Sequence, residues 1–501
     1  MSKSYVLEGR TIAHFMLTFK ESVIRYQDKI AIEGMGESYT YDQLDRISDE
    51  IGQHLLAHGV KPGSIVLIRM ERHVDVLLGI LGAWKARAAF SYIDDRSPRA
   101  QKTILTEDSE YAFMLDAGKI AELKSRVLHG HVPPKCPVGE LEDLAWLLMT
   151  SGTSGRPKRI LVTQRNIASA LYATRCIGLS ERDRHSMIAS FSFMSAIIEI
   201  FPVLSAGGTI VMVPSSTRND LESLVRFLEE QKITCCFMPA HFAEHFVQSN
   251  RQPSYLRILL TGGEPVHWLE KRGYRIICGY GASETCGPVT LMEIDYQAAE
   301  YPIGKLLPNV QMHLLDENLQ MVTKPGEIGE LCFSGPTICE GYYQEPELTA
   351  EHFIPNPFSN DPCHKVLFRT SDLARFDEKG DCYFAGRSDL LCKIRSFRIE
   401  IGEVENAILH FPGIERCVVL PMYDSQGTKN LHAFYYSADE IDEASLVIYL
   451  RENLLHYKVP TYYHRLENIP LTDNGKVDRS KIGDIPGFTR LSPRRAKNKE
   501  N

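Results

Sequence analysis

The run LAWLLM (144–149), followed directly by TSGTSGRPK (150–158), governs the reading of this chain. Six apolar residues in a row suit a buried strand. The strand empties into a loop of Thr150, Ser151, Gly152, Thr153 and Ser154 that ends at Lys158. Small hydroxyl residues and glycines let backbone N–H groups close on phosphate oxygens, and Lys158 adds a point charge. The spacing is not GxxxxGK[ST], which argues against the loop of kinases and ordinary ATPases.

On either side the sequence alternates strand and helix. Thr40 is placed to cap a helix whose apolar stripe is Leu44, Ile47, Ile51 and Leu55, and Gly59 supplies the left-handed backbone that ends it. Residues 64–68 (SIVLI) read as a buried strand and 74–84 as a helix. Strand, helix and strand in this rhythm imply a parallel sheet covered on both faces. The rhythm returns at 209–213, 221–231, 235–238 and 256–260. After about residue 300 the texture turns to short strands and turns, with a strand at 329–334 and turns at Gly380 and Gly386. From Asp389 onward, helices near 402–410 and 444–455 and strands at 417–420 and 432–436 suffice for a small α+β domain of roughly 100 residues. The expected class is α/β. A large N-terminal domain of βαβ-type subdomains plus a β-rich part spans 1–388, a small α+β C-terminal domain spans 389–485, and a flexible tail spans 486–501.

Composition narrows the function classes. At 501 residues the chain exceeds one hydrophobic core, since domains run to roughly 100–200 residues. Apolar residues at 44% and charged residues at 24% exclude wholesale disorder. A net charge of -8 with pI near 6.1 offers no global basic field to nucleic acid or anionic lipid. The basic tail reads as a solvated terminus. The longest apolar stretch, 197–214, is broken by Glu199, Pro202, Gly207 and Gly208, short of the ~20 residues that span a membrane. The opening MSKSYVLEGR has no secretory leader, and the 12 cysteines contain no CxxC. Both point to reduced thiols in a cytoplasmic protein without a zinc site or disulfide framework.

Beyond the phosphate-type loop, five further blocks follow in order: GYGASETCG (279–287), GELCFSGPTICEGYYQEPELTAEHF (329–353), RTSDLARFDEKGDCYFAGRSD (369–389), KIRSFRIEIGEVE (393–405) and PLTDNGKVDR (470–479). With TSGTSGRPK they resemble the adenylate-forming superfamily of acyl-CoA synthetases, luciferases and adenylation domains of nonribosomal peptide synthetases. The last four blocks are most similar to the peptide-synthetase domains. The resemblance implies ATP and Mg²⁺ as cofactors and a mobile small domain. Tyr280, with Gly281 beside it, would stack on adenine, lined by Gly263 and Glu264. Ser283 and the hydroxyl loop would hold phosphate oxygens, Glu284 would ligate Mg²⁺, Asp372 would accept the ribose hydroxyls, and Arg387 would contact ribose or phosphate. Lys476 would bring a fixed cation from the small domain to the carboxylate and the developing α-phosphate charge, swinging about a hinge at Asp389.

The resemblance also locates an acid pocket. Domains that take α-amino acids carry an Asp in an FDxSxxE block, which pairs with the substrate ammonium. Here the block reads FMSAIIE (193–199), and Met194 stands where the Asp belongs. A buried ammonium without a carboxylate is costly, which argues against an α-amino acid. The other carried-over positions are Ser195, Ile198, Phe237, Leu260, Gly262, Gly279, Gly287 and Pro288, none acidic. A planar aryl acid, such as an amino- or hydroxybenzoate, fits best, with a 2-oxo or fatty acid as the alternative. Two departures from the family pattern are Ser396 and Arg159, each where glycine is usual.

The chain ends about 25 residues after Lys476, so the acceptor expected is the phosphopantetheine thiol of a separate carrier protein in natural-product biosynthesis. The alternatives are an acyl-CoA ligase and, outside enzymes, an inactive scaffold homologue. The expected partners are that carrier and a small carboxylic acid, with no nucleic acid and no membrane.

Overall fold

The computed structural model describes residues 3–7, 10–97, 110–150, 158–218, 220–249, 251–263, 266, 269–298, 300–387, 391–394, 397–423, 428–467 and 482. They fall into two compact units, the larger within Met1–Asp95, Glu110–Thr150 and Arg159–Ser388 and the smaller chiefly beyond Asp389.

The larger unit is built on two mainly parallel sheets. One has five strands in the order Phe113–Asp116, Ile65–Arg69, Ala89–Ile93, Leu144–Thr150 and Lys158–Thr163. The other has nine, and its parallel centre runs Arg275–Ala282, Ile258–Gly262, Cys235–Pro239, Arg184–Met187, Thr209–Met212 and Ile30–Gly34. Antiparallel strands close both ends, Glu37–Thr40 at one and Gly287–Glu293 with Lys305–Leu306 at the other. The largest apolar cluster joins the sheets through helices: Ile68, Phe90 and Trp146 from one sheet and Ile32 and Ile210 from the other meet Phe15, Tyr41, Trp84 and Phe201. The strand Ala89–Ile93 is buried at every position and Ile65–Arg69 at all but its last, because both faces are covered.

Local signals landed close to where they were read. Thr40 caps the helix Tyr41–Ala57 and forms a reciprocal box with Gln43, and Gly59 takes φ +85 just past its end. The helix read at 74–84 is Asp75–Lys85, buried on every side. The broken apolar stretch 197–214 is the helix Ala196–Ser205 followed by the strand Thr209–Met212. No helix among the described residues is long and apolar enough to cross a membrane, and no disulfide joins their cysteines. One turn is corrected. Gly380 does turn the chain, with φ +81, but Gly386 lies inside the strand Cys382–Arg387, where its partner Leu373 holds it in register. The aspartate after a glycine marks a turn only where no neighbouring strand takes up the backbone groups.

The β-rich part is an antiparallel sheet of Gln311–Leu315, Ile328–Ser334, Val366–Phe376, Phe353–Pro355 and Cys382–Arg387. Its apolar face, including Phe333 and Phe368, also receives Tyr280 and Ala282 from the end of a nine-stranded-sheet strand. The smaller unit has its own α+β core. A hairpin of Leu391–Ile394 and Phe397–Glu400 precedes the helix Ile401–Leu409. The strands Arg416–Tyr423, Lys429–Tyr436 and Tyr462–Arg465 form a sheet, and Val419 and Ala433 pack there against Val404, Ile408, Leu446 and Leu450.

Candidate active site

Of the residues read as nucleotide contacts, Tyr280, Gly281, Ser283 and Asp372 lie at or against the C-terminal end of the strand Arg275–Ala282, where open parallel sheets place ligands. A bulge between Tyr280 and Gly281 interrupts its pairing with Gly287–Glu293. Bulges of this kind re-aim side chains beside sites. The Tyr280 ring lies 5.8 Å from that of Phe333, and its hydroxyl donates to Asp372 Oδ2 at 2.5 Å. Asp372 is buried. It follows Ser371, a non-glycine residue held at φ +59. That uncommon conformation is stabilised locally: the Ser371 N–H donates to Glu330 Oε1 at 3.0 Å, and Arg369 grips Glu330 Oε2 at 2.9 and 2.6 Å. The Asp372 N–H donates to Thr370 Oγ1, which itself donates to the Leu331 carbonyl at 2.6 Å. Arg387 is the cross-strand partner of Asp372 along the backbone.

After Ala282 the chain makes a tight turn, Ser283–Thr285, which Cys286 closes at φ +52. Thr285 Oγ1 accepts the Ala282 N–H at 2.9 Å and donates to the Gly287 carbonyl at 2.7 Å. Glu284 is wholly buried, and the Tyr342 hydroxyl donates to its Oε1 at 2.9 Å. The Glu284 carbonyl accepts the Cys339 N–H at 2.9 Å. Burial first, then a bond to the Cys286 thiol and the Glu284 charge, push the Cys339 thiol well above its ordinary range, so it stays neutral beside the carboxylate. The Glu284 carboxylate is a hard oxygen donor of the kind that suits Mg²⁺.

Lys158 is buried as the first residue of the strand Lys158–Thr163. That strand is stitched to the segment carrying Tyr342: Leu161 N–H donates to the Gly341 carbonyl, Glu340 N–H to Leu161 and Tyr343 N–H to Arg159. Arg159, the departure from glycine, lays its guanidinium 4.9 Å from the centre of the Tyr343 ring.

The positions read as the acid pocket fall into two groups. Phe237 pairs with Leu260, Gly262 with Gly279 and Gly281 with Pro288, while Gly287 pairs with Ala282. Phe237 and Leu260 share an apolar cluster with Ile177, Ile258 and Ile277. A Cβ on Gly262, which sits at φ +154, would meet the Gly279 carbonyl oxygen at 2.3 Å, so side-chain-free backbone is required there. The other group, Met194, Ser195 and Ile198, leads into and begins the helix Ala196–Ser205. Met194 is buried in a different cluster, with Phe191, Ala196 and Ile197. Ser151, Gly152, Thr153, Ser154, Glu264, Asp389, Ser396 and Lys476 lie outside the described residues, as does the tail 486–501.

Two positioning groups escaped the sequence reading. Tyr342 lies within a quoted block, yet nothing in its spacing pairs it with Glu284. Glu199, the last residue of FMSAIIE, is fully buried and accepts the Ile188 and Ala189 N–H groups at 3.0 and 2.8 Å. Burial raises its carboxyl to about 7 against those two bonds and the charges of Arg72 and Arg218.

Comparison with known proteins gives the family and the fold. Residues 19–343 match the AMP-binding enzyme family and residues 403–476 the C-terminal domain of AMP-binding enzymes. Bacitracin synthase 1 of Bacillus licheniformis is 32% identical over 93% of this chain, which spans only 9% of that relative's length. An NRPS protein containing adenylation and PCP domains, bound to a vinylsulfonamide inhibitor, shares the fold at TM-score 0.80 and 24% identity, over 94% of this chain and 84% of that one. NpsA of Klebsiella oxytoca in complex with 3-hydroxyanthranilyl-AMSN matches at TM-score 0.65 and 26% identity, over 94% and 99%. The chain belongs to the AMP-binding enzyme family, with the architecture of an adenylate-forming adenylation domain.

Proposed function

We propose that this member of the AMP-binding enzyme family uses ATP to adenylate a small carboxylic acid lacking an α-ammonium, best an aryl acid, and passes the acyl group to the phosphopantetheine thiol of a separate carrier protein in natural-product biosynthesis. The observation that carries it is Met194, buried among apolar side chains where an α-amino acid enzyme needs a carboxylate. The aryl reading gains support from the 3-hydroxyanthranilyl ligand of the Klebsiella oxytoca relative.

In this reading a substrate carboxylate oxygen attacks the α-phosphorus of ATP and pyrophosphate leaves. The pantetheine thiol then attacks the acyl carbonyl and AMP departs. Asp372 orients the ribose, Tyr280 covers the adenine, and Lys158 with the hydroxyl loop Thr150–Ser154 holds the phosphates. Glu284 would hold Mg²⁺, which neutralises charge on the triphosphate when bound, and Ser283 would hold phosphate oxygens. Lys476, carried by a small domain of 389–485 that moves about Asp389, stabilises charge at the reacting phosphate.

ATP–pyrophosphate exchange across benzoates, 2-oxo acids, fatty acids and amino acids tests the substrate. A hydroxy- or aminobenzoate is expected to lead, and preference for leucine or phenylalanine would overturn the reading. Holo carrier protein is expected to take the acyl group faster than free CoA. Met194→Asp is expected to depress exchange with the preferred acid at least tenfold, because it buries an unpaired carboxylate beside a like charge.

A further inference from the structure

We propose that Tyr342 is the positioning residue for Glu284, a strut that sets the carboxylate against the strand leaving the phosphate-type loop. The inference rests on the reading of Glu284 as the Mg²⁺ ligand and goes beyond it by naming what holds that ligand in place.

Glu284 has no exposed surface and Tyr342 is 4% exposed, so the 2.9 Å bond from the tyrosine hydroxyl to Oε1 forms away from water. There a lost partner is not replaced by solvent. The bond joins residues 58 positions apart. The tyrosine itself is fixed on three sides. Its ring meets Phe353 edge-on at 5.5 Å and His352 at 6.0 Å. Its N–H donates to Thr349 Oγ1 at 3.0 Å. Its backbone bridges Ile160, two residues past Lys158. Gly341 beside it takes φ +120, and a Cβ there would fall 2.5 Å from Thr349 Cγ2, so the turn is closed tightly.

The segment Cys339–Tyr343 therefore touches Glu284 twice, at its carbonyl through Cys339 and at its carboxylate through Tyr342, and grips Arg159 and Leu161 on the other side. One carboxylate oxygen is pinned and the side chain held to one orientation relative to the strand that begins with Lys158. Groups that orient a metal-binding carboxylate in this way typically contribute 10–100-fold to metal affinity.

The test uses the full chain and Mn²⁺ as a spectroscopic probe for the Mg²⁺ site. Mn²⁺ affinity is measured by electron paramagnetic resonance with α,β-methylene-ATP present, in wild type, Tyr342→Phe and Glu284→Gln. Tyr342→Phe is expected to weaken Mn²⁺ binding about tenfold or more and to raise the KM for Mg²⁺. Metal-free nucleotide affinity and thermal midpoint should change far less, which a purely structural tyrosine would not produce. Thr349→Val, which slackens the strut without touching Glu284, is expected to shift Mn²⁺ affinity in the same direction by less. Unchanged affinity in Tyr342→Phe and Thr349→Val, with affinity lost in Glu284→Gln, would overturn the positioning role alone. Unchanged affinity in Glu284→Gln as well would overturn the metal reading of Glu284 and this inference with it.

Discussion

The end of the strand Arg275–Ala282 and the start of the helix Ala196–Ser205 are built by different physics. Around Tyr280 and Glu284, polar groups cross-brace one another: the side chains of Tyr280 to Asp372, Tyr342 to Glu284 and Arg369 to Glu330, and the Ser371 N–H to Glu330. Around Met194 the walls are apolar, and one buried carboxylate, Glu199, ties the helix to the loop before it. A triphosphate demands fixed donors and charges at set distances, which a narrow set of residues supplies. The apolar body of an acid without an ammonium demands only shape, which many apolar residues supply equally well.

The largest expected effect strikes the polar half. Lys476→Ala should cut ATP–pyrophosphate exchange at least a hundredfold, or about 2.7 kcal/mol or more, with circular dichroism unchanged. Near-wild-type exchange would mean that charge at that lysine is dispensable.

Glu199→Gln probes the other half through pH. Below the ordinary carboxyl value of 4.5 the folded and unfolded chains both carry the proton; between 4.5 and about 7 only the folded chain keeps it. The carboxyl thus makes stability fall as pH rises through that window, by up to about 3 kcal/mol, and adds no slope above it. Glutamine cannot titrate, so the urea midpoint of the variant should gain on that of wild type between pH 5 and pH 7.5. Parallel midpoints at both pH values would show that Glu199 is ionised in the fold like an exposed carboxylate.

The smallest effect falls on the strand beside the polar half. Gly262→Ala should lower stability by about 1–3 kcal/mol, because its Cβ meets the Gly279 carbonyl and its φ disfavours a side chain. A thermal midpoint within a degree of wild type would show that the strands part without cost.

The sequence by itself determined whatever is set within a few residues. The Thr40 cap with Gln43, the alternation of apolar strands and amphipathic helices, and the β-rich texture after residue 300 are local, because capping bonds reach three residues and hydrophobic periods repeat every two to four. The motif blocks likewise named Tyr280, Glu284 and Asp372 one by one. Tertiary structure decided how they meet: Asp372 under the Tyr280 hydroxyl, Tyr342 on Glu284, Arg159 over Tyr343, Glu199 beneath Ile188 and Ala189, and Gly386 in a strand. Most of these contacts join residues tens or hundreds of positions apart, and all depend on which chain segment packs alongside. Local sequence carries no signal for that choice, which only the closing of the core makes.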